Sequence, residues 1–169
     1  MLTGIVVNIE NFSHQSPDDV DILLVSPTGR SIVLMSDAGG TNEVNNLTLT
    51  FDDKANSALP DETSIATGIY RTSNYEGGDV YPNPAPQTTP STTFSSFYGD
   101  TPNGIWSLYV VDDNGNSVGT IAEGWNMSLQ SSVNACFFTV DPLFASFSHF
   151  GGSSNFEITT PDGLSLIHI

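Results

Sequence analysis

Asp19-Val20-Asp21-Ile22-Leu23-Leu24-Val25-Ser26-Pro27-Thr28-Gly29 is the stretch whose reading decides the fold. Ile22 and Leu24 alternate with Leu23 and Val25, the two-residue period of an extended strand whose successive side chains leave on opposite faces. Pro27 pre-sets its own φ and Gly29 accepts a positive one, so Ser26-Pro-Thr-Gly29 ends the strand in a tight turn. Asp19 and Asp21 stand at its entry. On an extended backbone they share one side, where two uncompensated carboxylates repel each other and a cation would relieve them.

Working outward, the same period recurs. Ile5 and Val7 alternate with Val6 and Asn8, and Leu47, Leu49 and Phe51 with Thr48 and Thr50. Asn103-Gly104 then feeds Trp106, Leu108 and Val110, which alternate with Ser107 and Tyr109, and Trp125, Met127 and Leu129 repeat the pattern. Trp106 and Trp125 are therefore expected in the core. Asp113-Asn-Gly115 is turn chemistry, and residues 60–100 read as long proline-bearing loops with short strands. No segment carries an apolar i, i+3, i+4, i+7 stripe. The expectation is an all-β, jelly-roll-like β-sandwich over residues 1–131.

Composition narrows the function. The 169 residues include 19 acids against three Lys and Arg, a formal net charge of −16. Such a surface repels phosphate backbones, so nucleic-acid binding is not expected. It suits cations. Cys136 is the single cysteine, so no disulfide forms within the chain. No apolar run approaches the length needed to span a bilayer, and no membrane span is expected.

Both ends depart from the pattern. Leu164-Ser-Leu-Ile-His-Ile169 follows Pro161-Asp-Gly163 abruptly and translates the end of a common transposon-derived sequencing adapter. It is expected to be foreign to the protein, and His168 carries no functional expectation. Residues 132–163 read as the start of a second, truncated β-sandwich module. They run from Ala135-Cys-Phe-Phe-Thr-Val-Asp-Pro142 to Phe156-Glu-Ile-Thr-Thr160. About 30 residues cannot build a core alone.

A series of motifs carries a resemblance. It begins with His14, Asp18-Asp19-Val-Asp21 and Ser26-Pro-Thr-Gly29, followed by Leu47-Thr-Leu-Thr-Phe51-Asp-Asp53. Tyr75-Glu-Gly-Gly-Asp79, Tyr81-Pro-Asn-Pro-Ala-Pro86, Asn103-Gly-Ile-Trp106 and Gly124-Trp125-Asn-Met-Ser-Leu129 complete it. In this order they resemble the P domain of subtilisin-like proprotein convertases, bacterial type. Family members usually carry a further strand upstream, so the N-terminal strand is expected to be missing and the chain to be part of a larger protein. The 132–163 segment is similar to the first half of BACON-like, immunoglobulin-like modules of exported bacterial proteins.

The resemblance implies a non-catalytic accessory domain, extracellular or at the cell surface. Its partner would be a neighbouring subtilisin-like serine protease domain or another β domain in the same polypeptide. It also implies a structural His14, its imidazole donating to the Asp18–Asp21 loop. One departure is Ser117, which stands where members often carry an acid five residues after the aspartate closing the Trp strand. That weakens a cation site in that loop.

For chemistry of its own, the chain lacks a Gly-Thr-Ser nucleophile context and a Gly-x-Ser-x-Gly elbow; no catalytic residues are expected. Calcium is the stronger expectation, because it takes about 6–8 oxygen ligands from carboxylates, Asn side chains and loop carbonyls. Three clusters qualify. They are Asp18, Asp19 and Asp21; Asp52 and Asp53, with Asp79 nearby; and Asp112, Asp113, Asn114 and Asn116. The alternative is a carbohydrate-binding or adhesive module for a surface polysaccharide. In that reading Tyr70, Tyr75, Tyr81 and Tyr98 offer ring faces; otherwise they cover the ends of the sandwich.

Overall fold

The computed structural model describes residues 1–132, 154–160 and 164–166. It is an all-β fold of two sheets. The strands are β1 (Leu2–His14), β2 (Val20–Val25), β3 (Ser31–Met35), β4 (Val44–Asp52), β5 (Gly68–Tyr70), β6 (Ile105–Asp112), β7 (Gly119–Ile121), β8 (Trp125–Ser131), β9 (Ser154–Thr160) and β10 (Leu164–Leu166). Two single 3-10 turns, Pro17–Asp19 and Phe94–Phe97, sit between strands.

One sheet has the order β5-β4-β1-β8-β9, with β7 beside the end of β1; the other runs β10-β6-β2-β3. β1 organises the first sheet, antiparallel to both β4 and β8. The alternation read from the sequence appears as burial. Ile5, Val7 and Ile9 of β1, Leu49 and Phe51 of β4, and Trp125, Met127 and Leu129 of β8 all enter one core. They meet Ile22 and Leu24 of β2 and Trp106 of β6 from the opposite sheet. Trp106 is fully buried; its indole Nε1 donates to the Pro102 carbonyl at 3.1 Å, and its ring meets Phe97 edge-on at 5.3 Å. The β1–β4 register shifts between Ile9 and Phe12, where Asn11 and Asn46 take positive φ. Asn is the residue type that tolerates this region best after Gly. Val110 departs from the expected core stripe and is 47% exposed.

The Ser26–Gly29 turn forms as read. Gly29 has φ +81°, its N–H donates to the Ser26 carbonyl, and β2 and β3 pair across it as a hairpin. The Asp113–Gly115 turn instead leads from the second sheet to β7 on the first.

β2 is buried on both faces, which a half-exposed sandwich strand would not be. The reason is the proline-bearing segment. Tyr81 and Ala85 lie over Leu23 and Val33 on the outer face of the second sheet and form a second, smaller core. Of the stretch read as a second module, β9 lines the edge of β8 from Trp125↔Thr160 to Ser131↔Ser154. β10 pairs with Ile105–Ser107. Cys136 and His168 lie outside the described residues.

Candidate metal centre

Period two along β2 places Asp21 on the face of Leu23, away from the main core and under the proline-bearing segment. There it is only 4% exposed. Two other segments bring carboxylates to it. Asp37 follows the end of β3, and Asp79 comes from the proline-bearing segment. One oxygen from each of the three acids lies within 4.8 Å of the others. Asp37 is held with φ +50°, a left-handed conformation uncommon outside Gly, Asn and Asp.

Nothing basic in the described chain compensates these acids. Among the described residues the ion pairs are His14–Asp112 at 3.3 Å and Arg30–Asp100 at 3.4 Å. Burial accordingly pushes the Asp21 carboxyl up to about 7, Asp79, Asp37 and Asp113 add to the rise, and a hydrogen bond with Ser36 works against it. Ser36 also donates to Asp37 Oδ2 at 2.8 Å, so one hydroxyl proton stands between two carboxylates. Asp18 and Asp113 are raised as well, each by burial first and then most by the charge of Asp37.

Orphaned polar atoms mark the same place. The Tyr81 hydroxyl is buried without a hydrogen-bond partner, in a residue 7% exposed. Burial raises its pKa, and the charges acting on it are, in order, Asp21, Asp79 and Asp37. Ser73 is 6% exposed, and its Oγ too lacks a partner. Backbone bonds from Ser36 N–H to the Ser73 carbonyl and from Ser73 N–H to the Leu34 carbonyl lay it along the end of β3. A buried hydroxyl left without a partner costs about 1–3 kcal/mol; a water carried by a bound cation would satisfy it. The donor set is all hard oxygen, which fits calcium or magnesium better than thiolate- or imidazole-seeking metals.

The residues singled out from sequence divide between this site and other work. Asp21 and Asp79 belong to it. Asp19 does not, because the strand begins only at Val20. Asp19 closes the 3-10 turn, its carbonyl accepts from Asp113 N–H, and its Oδ2 is buried without a partner. Asp79 joins Asp21 and Asp37, whereas Asp52 and Asp53, read as its neighbours, serve local backbone. Asp52 accepts from Lys54 N–H, and Asp53 accepts from Phe94 and Ser95 N–H at 3.1 and 3.0 Å, covering the start of the Phe94–Phe97 turn. Asp112 accepts from His14 and from Asn114 N–H, while Asn114 Oδ1 accepts from Asn116. Asp113 is exposed. No three acids of that loop converge as Asp21, Asp37 and Asp79 do among the described residues.

His14 is buried, but its partners differ from those expected. Nε2–H donates to Asp112 Oδ2 at 3.3 Å, and Nδ1 faces the Ser16 backbone, 2.7 Å from the carbonyl oxygen. The imidazole thus ties the end of β1 to the end of β6 and to the entry of the 3-10 turn, not to the aspartates themselves. Of the tyrosines, Tyr81 is buried, Tyr70 donates to the Ala66 carbonyl at 2.9 Å and Tyr75 to the Leu59 carbonyl, while Tyr75 and Tyr98 are exposed.

Asp37 is the member that sequence reading missed. The signal was available in the hairpin. Val25 pairs with Ser31 and Leu24 with Ile32, and Ile22 with Met35 after one irregularity. Continuing that ladder brings Ser36 opposite Asp21 and Asp37 one residue further on.

No helix among the described residues is long and apolar enough to cross a membrane. Comparison of the chain with family models, with curated proteins and with solved structures finds no match.

Proposed function

We infer that this chain is a non-catalytic accessory β-sandwich whose stability depends on a divalent cation, calcium by preference, held by Asp21, Asp37 and Asp79. One observation carries the reading: the β2–β3 hairpin and the proline-bearing segment converge three carboxylates around the buried Asp21, where no basic side chain among the described residues pairs with them. A bound cation would cross-link the β2–β3 hairpin to the proline-bearing segment that roofs it. That is a stabilising function and involves no turnover. Support for the non-catalytic part comes from His14, whose two ring nitrogens are engaged by Ser16 and Asp112.

The motifs that resemble bacterial P domains support reading it as a module of an exported protein. Its partner is a neighbouring subtilisin-like serine protease domain, or another β domain of a surface protein, which it supports in folding. Recovery of the complete reading frame tests this partner. An Asp/His/Ser protease domain in the same polypeptide is expected, and arrays of β modules alone would redirect the reading to a surface scaffold.

The cation itself is tested by thermal melts in calcium, in magnesium and in chelator at fixed ionic strength. Binding to the folded state alone stabilises by about 2.7 kcal/mol at a hundredfold excess over Kd. A rise with calcium beyond that with magnesium is expected; identical melts in all three would overturn the reading.

A further inference from the structure

Beside the three carboxylates the proline-bearing segment encloses an open cleft of about 430 Å³, within the range of small-ligand sites. Asp79 and Tyr81 belong to both places: each lines the cleft, and each is electrostatically coupled to the buried Asp21. The rest of the wall is neutral and rich in hydrogen-bonding groups, including Asn74, Gln87, Thr88 and Thr89, with Pro86 and Pro90 as flat apolar panels. It is also held in shape. Asn74 Nδ2 donates to Asp79 Oδ2 at 3.2 Å, and Gln87 Nε2 donates to the Tyr81 and Ala85 carbonyls at 2.8 and 3.0 Å.

We propose that this cleft binds a neutral glycoside, two adjacent hydroxyls of which complete the coordination shell of the cation at Asp21, Asp37 and Asp79. The inference rests on the cation reading of the same site. Three carboxylates leave a calcium ion short of its about 6–8 oxygens. Asp79 belongs both to the acidic cluster and to the wall of the cleft, so coordination positions left open on its side face the cleft. A vicinal diol supplies two neutral oxygens at a spacing one cation can span. The amide and threonine groups of the wall then meet the rest of the ring. An anionic ligand fits poorly, because no Lys or Arg lines the cleft and the chain carries a net charge of −16. Recognition here runs through coordination and hydrogen bonds, in contrast to the ring stacking that exposed tyrosines suggested.

Terbium, a calcium-sized ion whose emission is sensitised by a nearby tyrosine, tests this in the whole chain. Emission lifetimes in H₂O and in D₂O report the number of waters on the ion. Adding methyl α-mannoside, methyl β-galactoside or methyl β-glucoside is expected, for at least one of them, to lengthen the lifetime in H₂O and leave that in D₂O unchanged. The same glycoside with its diol O-methylated is expected to do nothing. Sensitised emission with a hydration number that no glycoside alters would overturn this inference and leave the cation site standing. Absence of sensitised emission, with melts indifferent to calcium, would remove the cation and the glycoside together.

Discussion

At Asp21 the chain buries a carboxylate among others of its kind, and the cost is readable as a pH dependence. Without a bound cation its folded pKa is about 7 against an ordinary 3.8. Between those values the folded state keeps a proton that the unfolded chain has released. Asp21 therefore adds full stability below pH ~4 and loses it as pH rises through about 7, with about 4 kcal/mol at stake. In chelator, the wild-type chain is expected to melt lower at pH 8 than at pH 5 relative to Asp21→Asn, which cannot ionise. The same substitution is expected to abolish the calcium response. Parallel pH profiles of the two proteins would refute the assignment. A second residue tests His14. A Cβ at Gly119 would overlap the His14 ring and the Ser13 carbonyl oxygen, so Gly119→Ala is expected to cost about 1–3 kcal/mol as overpacking, measured as a fall in the urea midpoint.

At the scale of elements, the proline-bearing segment is where sequence reading ran out. The alternation of β1, β4 and β8 was legible because each strand turns one apolar face inward, and period two reports that directly. The segment containing Tyr81 and Ala85 has no period, and only its packing over Leu23 and Val33 explains why β2 is apolar on both faces. Asp21 and Asp79 were each legible as candidate ligands, but their meeting was not, since loop paths are set by packing that leaves no local signature. The cation reading predicts that calcium restrains this element. Chymotrypsin cleavage near Tyr75 and Tyr81 is expected to be severalfold faster in chelator than in calcium; equal rates would show that the segment is not tied down there. Asp53 offers the contrast. Its two bonds to Phe94 and Ser95 N–H act as a cap, so Asp53→Ala is expected to cost about 1 kcal/mol and to leave the calcium response intact.

For the molecule as a whole, the charge of −16 makes the folded state a compact body of like charges. Raising sodium chloride from ~0.01 to ~0.15 M shortens the screening length from about 30 to about 8 Å. The melting temperature in chelator is expected to rise over that range; a fall or no change would show that self-repulsion is not a governing term. The pairing of Leu2 with Ser131, flanked by mutual backbone bonds between Met1 and Ser132, has a mechanical meaning. The start of β1 and the end of β8 lie on adjacent antiparallel strands at the same end, with the hydrogen bonds running across the direction of the strands. A tensile load applied through those two points falls on one bond pair at a time, and β1 peels from β8 like an opening zip. A tether between anchored neighbours would therefore yield here at low force, giving up chain length gradually before either neighbour is strained.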